Sequence, residues 1–174
     1  MPTRHPLVDQ LRFTRSEFLR GIRGVSEEDA CRRLGPMNAL SWNVGHLAWQ
    51  EQRYFVTRAQ GRTPFPEVAR LYASGAPALT PSLAEVLAAW RAITAEADRW
   101  LDAVTVEGLQ AYVVKDGEPT AIVFGNLLQR TIYHYWYHTG ENQAIRQQLG
   151  HRRLPQFVGN IDDQAPYRPE AAPA

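Results

Sequence analysis

The sequence predicts an all-α protein, a four-helix bundle with a long connection between its second and third long helices and short extra helical turns. Three observations predict it. Apolar residues recur at three- and four-residue spacing through four long segments. Serine, threonine, glycine and proline fall where those segments should start and stop. Only one short stretch, residues 111–123, sets β-branched runs on both sides of an Asp-Gly pair. A chain of 174 residues has room for one ordinary core, and 44% hydrophobic with 21% charged residues is the balance of a soluble globular protein.

The first helix is expected from about Pro6 to Ile22, with Leu7, Leu11, Thr14, Phe18 and Ile22 on one face. A short helix follows, announced by Ser26 with Asp29 at N-cap spacing and closed by Gly35-Pro36. The second long helix is expected from Ser41 to about Ala59. Residues 61–79 read as an irregular connection with one helical turn at 67–72, longer than a usual loop and able to supply a wall of a site. Thr80-Pro81 has the chemistry of an N-cap and first turn for the third helix. That helix carries Leu83, Val86, Leu87, Trp90, Ile93, Ala97, Trp100 and Leu101 on its apolar face. Around Asp116-Gly117 a minor ribbon or extended loop is expected, and the fourth helix then runs from about Thr120 to Leu149, ending at Gly150. Residues 1–154 make the bundle domain. Residues 155–174, with Pro155, Pro166, Pro169 and Pro173, form a tail too poor in apolar residues to fold alone, which either wraps the body or is disordered.

Charge and cysteine content exclude several classes. Lys+Arg number 19 against 18 Asp+Glu, a net charge of +1 with no basic run, so nothing favours nucleic acid. Cys31 is the only cysteine, which forbids an intrachain disulfide. It is expected as a small, partly buried residue; the alternative is a reactive thiol. The N-terminus lacks the apolar core of a signal peptide, and no stretch approaches the ~20 apolar residues of a membrane span. A cytoplasmic location is therefore expected.

The chemistry concentrates in "TIYHYWYHTGENQ", residues 131–143, and "SWNVGHLAWQEQ", residues 41–52. His134 and His138 are four apart on one helix, where Cβ atoms stand about 6 Å apart and both rings can reach one ion at ~2.0–2.1 Å. His46, among Trp42, Val44, Leu47 and Trp49, is the natural third ligand from a neighbouring helix. The alternative is three hydrogen-bonded core histidines, but each buried imidazole needs partners for its nitrogens, and one ion serves all three. His5 and His151 sit at helix margins and read as surface residues. Zincin chemistry is excluded because Tyr135 follows His134 where H-E-x-x-H requires glutamate. The paired E-x-x-H of ferritin-like di-iron proteins is missing too. Glu141, one turn after His138, is a candidate fourth ligand or hydrogen-bond acceptor. Trp49, Gln50, Glu51 and Arg53 are candidate groups lining the site. Trp42, Trp49, Tyr133, Trp136 and Tyr137 are expected mainly in the core, some of them walling a pocket.

"SWNVGHLAW" together with "HYWYHTGENQAIRQQLG" resembles the DinB family of the DinB/YfiT-like metalloenzyme superfamily, over approximately residues 6–150. Gln143 is displaced from the position after Gly140, and Thr139 stands where relatives commonly have a basic residue. The resemblance implies an up-down-down-up four-helix bundle holding one divalent ion on His46, His134 and His138 plus waters. It also implies a homodimer and thiol-dependent S-transferase or isomerase chemistry on a small molecule, with a low-molecular-weight thiol as co-substrate.

The expected activity is a metal-dependent transferase or hydrolase; the alternative is a non-enzymatic bundle that binds metal or a small molecule. Imidazole suits several ions. Zinc or nickel is expected, with iron or manganese as alternatives. Three protein ligands lean towards an open site, because structural zinc is normally closed by four.

Overall fold

The computed structural model describes residues 4–168; Pro169 and Pro173 of the tail lie outside the described residues. The chain is mostly helical. Helix α1 spans Pro6–Ile22, as its periodicity predicts, and starts on His5, whose Nδ1 accepts from the Leu7 N–H at 3.2 Å. His5 is therefore a buried cap and not the surface residue expected. Helix α2 (Glu27–Cys31) is capped by Ser26, which accepts from the Asp29 N–H.

Helix α3 (Leu40–Glu51) runs on through π-helical turns at Gln52–Arg58. Its cap is Ala39 rather than a serine; Ser41, expected at the start, is fully buried. The wider turns follow a stretch in which nearly every side chain is buried, from Leu40 to Val56 with Trp49 and Arg53 the exceptions. The 61–79 connection contains helix α4 (Pro66–Tyr72), which packs on α3.

Helix α5 (Leu83–Leu101) begins two residues later than Thr80-Pro81 suggests. Ser82 is its cap, accepting from the Glu85 N–H, and the Leu83 N–H is taken by the Glu27 carboxylate of α2 at 2.6 Å. Ser82 and Glu85 have capping-box spacing, a stronger start signal than Thr-Pro. Helix α6 (Val106–Gln110) is short.

Strands β1 (Tyr112–Lys115) and β2 (Glu118–Val123) then form an antiparallel hairpin pairing Tyr112 with Val123 and Lys115 with Glu118. Its turn is Asp116-Gly117, with φ of 53° and 86°, the pair of left-handed residues that two-residue hairpins require. Because the hairpin uses residues up to 123, helix α7 spans Phe124–Gln148 and not Thr120–Leu149. Helix α8 (Ile161–Gln164) lies in the tail.

Helix α1 packs along α7, α3 along α5, and α3 also meets α7. The apolar faces close on Leu11, Phe18, Leu47, Phe55, Ile93 and Leu128, all without exposure. Inside this core lies a polar network that reaches all four long helices. Arg15 of α1 forms a two-pronged ion pair with Glu51 of α3 and also donates to Asp98 of α5 at 2.6 Å. Tyr135 of α7 donates to Glu51 at 2.7 Å and accepts from the Trp90 indole of α5 at 2.6 Å. Burial works against the Arg15 charge, but the Glu51 carboxylate outweighs it and holds the guanidinium pKa above its usual value. Burial, then Glu51, raises the Tyr135 phenol well above its ordinary pKa.

The described part of the tail lies against α1 and α7. The Gly159 N–H donates to Glu17 at 2.8 Å, Gln10 donates to the Ala165 carbonyl at 2.7 Å, and Arg20 lies over the Phe157 ring, whose edge meets Trp136. His151 is another departure from a surface reading. It accepts from Arg146 and donates to Asp29, tying the end of α7 to α2. Among the described residues, no helix is long and apolar enough to cross a membrane.

Removing one member of a buried ion pair strands the other. Glu51→Ala is expected to lower the unfolding free energy by about 3–5 kcal/mol, and Tyr135→Phe by about 1–2 kcal/mol. Urea unfolding followed by circular dichroism measures both.

Candidate metal centre

His46 projects from α3 between Trp42 and Trp49, its neighbours on the same helix face. The Trp42 ring stacks on the imidazole at 4.9 Å, and Trp49 lies tilted at 5.2 Å. Trp42 is itself fixed by donating its indole N–H to the Pro77 carbonyl at 3.2 Å. Across from it, α7 presents His134 and His138 one turn apart. The ring centroids lie 5.0 Å (His46–His134), 5.3 Å (His46–His138) and 4.6 Å (His134–His138) from one another. One nitrogen from each ring falls within 4.8 Å of those of the other two, so the group could hold a metal ion.

The hydrogen bonds determine which nitrogens remain. His46 Nδ1 lies 2.7 Å from the Tyr72 carbonyl oxygen, which can only accept, so Nδ1 carries the proton and Nε2 the lone pair. His138 Nδ1 lies 2.7 Å from the Glu141 carboxylate, with the same consequence. His138 Nε2 and His134 Nε2 face each other at 3.0 Å. Two donors about 2.1 Å from one ion and at right angles are separated by about 3 Å, so this spacing suits joint ligation. His134 Nδ1 is buried without a partner. Burial first, and then the neighbouring His138 and His46, push the His134 pKa down to about 3. Burial also lowers that of His46. Both imidazoles are thus neutral near pH 7, the form that ligates metal.

The candidate residues separate into three groups. Glu141 is an acceptor behind His138, and its same oxygen takes a second bond from Asn43 of α3 at 3.0 Å. Trp49, Gln50 and Arg53 line a cleft of about 740 Å³ that has His46 and His134 in its wall. Glu51 does not line it; it turns into the core and pairs with Arg15. Tyr133 and Tyr137, expected mainly in the core, are 69% and 68% exposed and form the rim of that cleft. A second cleft, of about 330 Å³, reaches all three histidines and Glu141 from the side of Trp42 and Gly75.

Sequence reasoning missed Asn43 and Tyr72. Asn43 had a signal: a poor helix former one turn before His46, on the same face and fully buried, needs a polar partner. Tyr72 acts through its backbone carbonyl, which leaves no mark on residue type.

A helical protein with a three-histidine candidate metal centre beside a cleft is the class these features define. The sequence profile of the DinB superfamily matches residues 10–141, a span that includes all three histidines, and the chain belongs to that superfamily. No curated protein matches the sequence.

Tyr72 can approach His46 because residue 45 is glycine. A Cβ there would meet the Tyr72 ring carbons at 2.7 Å. Gly45→Ala is therefore expected to displace α4, lower stability by about 1–3 kcal/mol, and speed proteolysis within residues 61–79. Thermal unfolding and limited proteolysis check the two effects.

Proposed function

We propose that this protein is a metal-dependent enzyme acting on a small molecule, with one divalent ion held by His46, His134 and His138. The carrying observation is the convergence of three imidazoles, two of which have Nδ1–H committed to oxygen acceptors and Nε2 left to ligate. The donor set fits the ion. Zinc or nickel is the favoured metal, with iron or manganese as alternatives. The pairing of α1 with α7 and of α3 with α5 supports a four-helix bundle of the DinB kind.

When bound, an ion with three neutral ligands supplies uncompensated positive charge, acting as a Lewis acid and lowering the pKa of a thiol or water. The chain's own residues do the rest. Tyr72 and Glu141 fix the His46 and His138 tautomers and orient their rings, and Asn43 holds Glu141 in place. With Glu141 Oε2 shared between His138 and Asn43, a fourth position is left to substrate or water, which favours catalysis over a structural ion. Trp49, Tyr133 and Tyr137 offer apolar surface beside the centre.

Within this reading the chemistry is thiol-dependent S-transfer, following the family resemblance. The half-buried Cys31 is engaged with the Pro81 carbonyl at 3.1 Å and lines neither cleft, so the reacting thiol is supplied by a co-substrate. A homodimer in the cytoplasm, without nucleic-acid or membrane partners, completes the proposal.

Metal analysis of purified variants tests it. Wild type and His151→Ala are expected to carry about one divalent ion per chain, whereas His46→Ala, His134→Ala and His138→Ala lose it and keep their helical circular dichroism. Glu141→Ala should weaken affinity about 10–100-fold. Equal metal content in His138→Ala and His151→Ala would refute the ligand set.

A further inference from the structure

The larger cleft has a charge pattern that the histidines do not explain. Arg53 and Arg130 both line it, and no aspartate or glutamate does. Arg58 lies close behind, with its guanidinium 5.4 Å from the centre of the Tyr54 ring while Arg53 lies 5.8 Å from the same ring. Arg53 also stands 5.3 Å from the Trp49 ring, which holds it against the cleft wall. The Arg58 pKa is lowered, by burial first and then by the like charges of Arg53 and Arg130. Several arginines outside the cleft, Arg4, Arg12, Arg15, Arg20, Arg62 and Arg99, sit on a carboxylate, and exposed ones such as Arg70 do not. Among the described residues, Arg53, Arg58 and Arg130 have no such partner.

A concave site lined by like charges and lacking a counter-ion attracts an anion, and low-dielectric walls strengthen the field inside it. Arginine is suited to oxyanions because its planar fork matches their paired oxygens. The neutral donors Asn126 and Gln129 lie in the same wall. Tyr54, Tyr133 and Tyr137 add flat apolar surface.

We propose that Arg53 and Arg130 form an oxyanion subsite, and that the substrate is a small organic anion whose carboxylate or phosphate binds there with its apolar body along the aromatic wall. Arg58 reinforces the field without lining the cleft. The inference rests on reading this cleft as the substrate site of the three-histidine centre. The subsite orients the molecule and the histidine centre addresses its reacting atom.

Calorimetry at low ionic strength tests this with benzoate, its neutral isostere benzamide, and phenyl phosphate. Chelated and zinc-loaded protein are compared in wild type, Arg53→Gln, Arg130→Gln and the off-site control Arg70→Gln. Using chelated protein removes direct anion–metal contact. At least one of the two anions is expected to bind chelated wild type about tenfold or more tighter than benzamide, to lose about tenfold in each cleft variant, and to be unchanged in Arg70→Gln. The tighter of benzoate and phenyl phosphate identifies carboxylate or phosphate as the group recognised. Equal binding of anions and benzamide, or anion affinity indifferent to both cleft substitutions, would overturn the subsite. Zinc stoichiometry on the same samples separates the two readings. Normal zinc binding without anion discrimination removes only the subsite, and discrimination without zinc binding removes only the metal centre.

Discussion

Glu51 has no exposed surface, and its charge is met from two helices whose contacting groups are braced by a third. Arg15 reaches it from α1, Tyr135 from α7, and Arg15 in turn binds Asp98 of α5, while Trp90 of α5 caps the Tyr135 hydroxyl. An uncompensated carboxylate in such surroundings is too costly to persist, so the four long helices must adopt the one arrangement in which every member is satisfied. Apolar burial supplies most of the driving force but tolerates sliding between helices; this network does not. It fixes the register of α3 against α7, and both sequences that carry the site lie on those two helices.

Register matters because the histidine group is divided between them. Glu51 is five residues after His46, and Tyr135 lies between His134 and His138 in sequence, on an adjacent face of the same helical turns. The pair that locks the core thereby also sets how closely His46 approaches the two α7 histidines. Local contacts refine the aim: Trp42 and Trp49 confine the His46 ring, the Tyr72 carbonyl and Glu141 select Nε2 as the free nitrogen on two of the rings, and glycine at 45 permits the approach of α4. Stability and site geometry have one physical origin. The arginine-lined cleft is the exposed side of the same construction, since its walls come from the end of α3, its π-helical continuation, and the outer face of α7.

Much of this was legible in the sequence. The period of Leu11, Thr14, Phe18 and Ile22 marks α1 correctly, and four-residue spacing places His134 and His138 together. What failed did so for identifiable reasons. Thr80-Pro81 resembles a cap, but Ser82 with Glu85 competes better for the α5 start. Asp116-Gly117 adopts the hairpin that its type favours, which delays α7 to Phe124. Glu51 sits a turn from His46 and so reads as a site residue; only the position of Arg15, 36 residues earlier, shows that it belongs to the core. Tyr133 and Tyr137 look like core aromatics because spacing cannot reveal which face of α7 is left uncovered. Residue types and local spacing carry caps, turns and same-helix pairs. Contacts between distant helices, and roles played by a backbone carbonyl such as that of Tyr72, leave no such trace.

X-ray absorption at the zinc edge of the loaded protein tests the central claim most directly, because it reads the ligands themselves. The account predicts about three imidazole nitrogens at ~2.0–2.1 Å together with one or more light, exchangeable oxygen ligands. It also predicts loss of imidazole outer-shell scattering in step with removal of His46, His134 or His138. Zinc bound without imidazole scattering, or closed by four protein ligands with no exchangeable position, would contradict an open three-histidine centre.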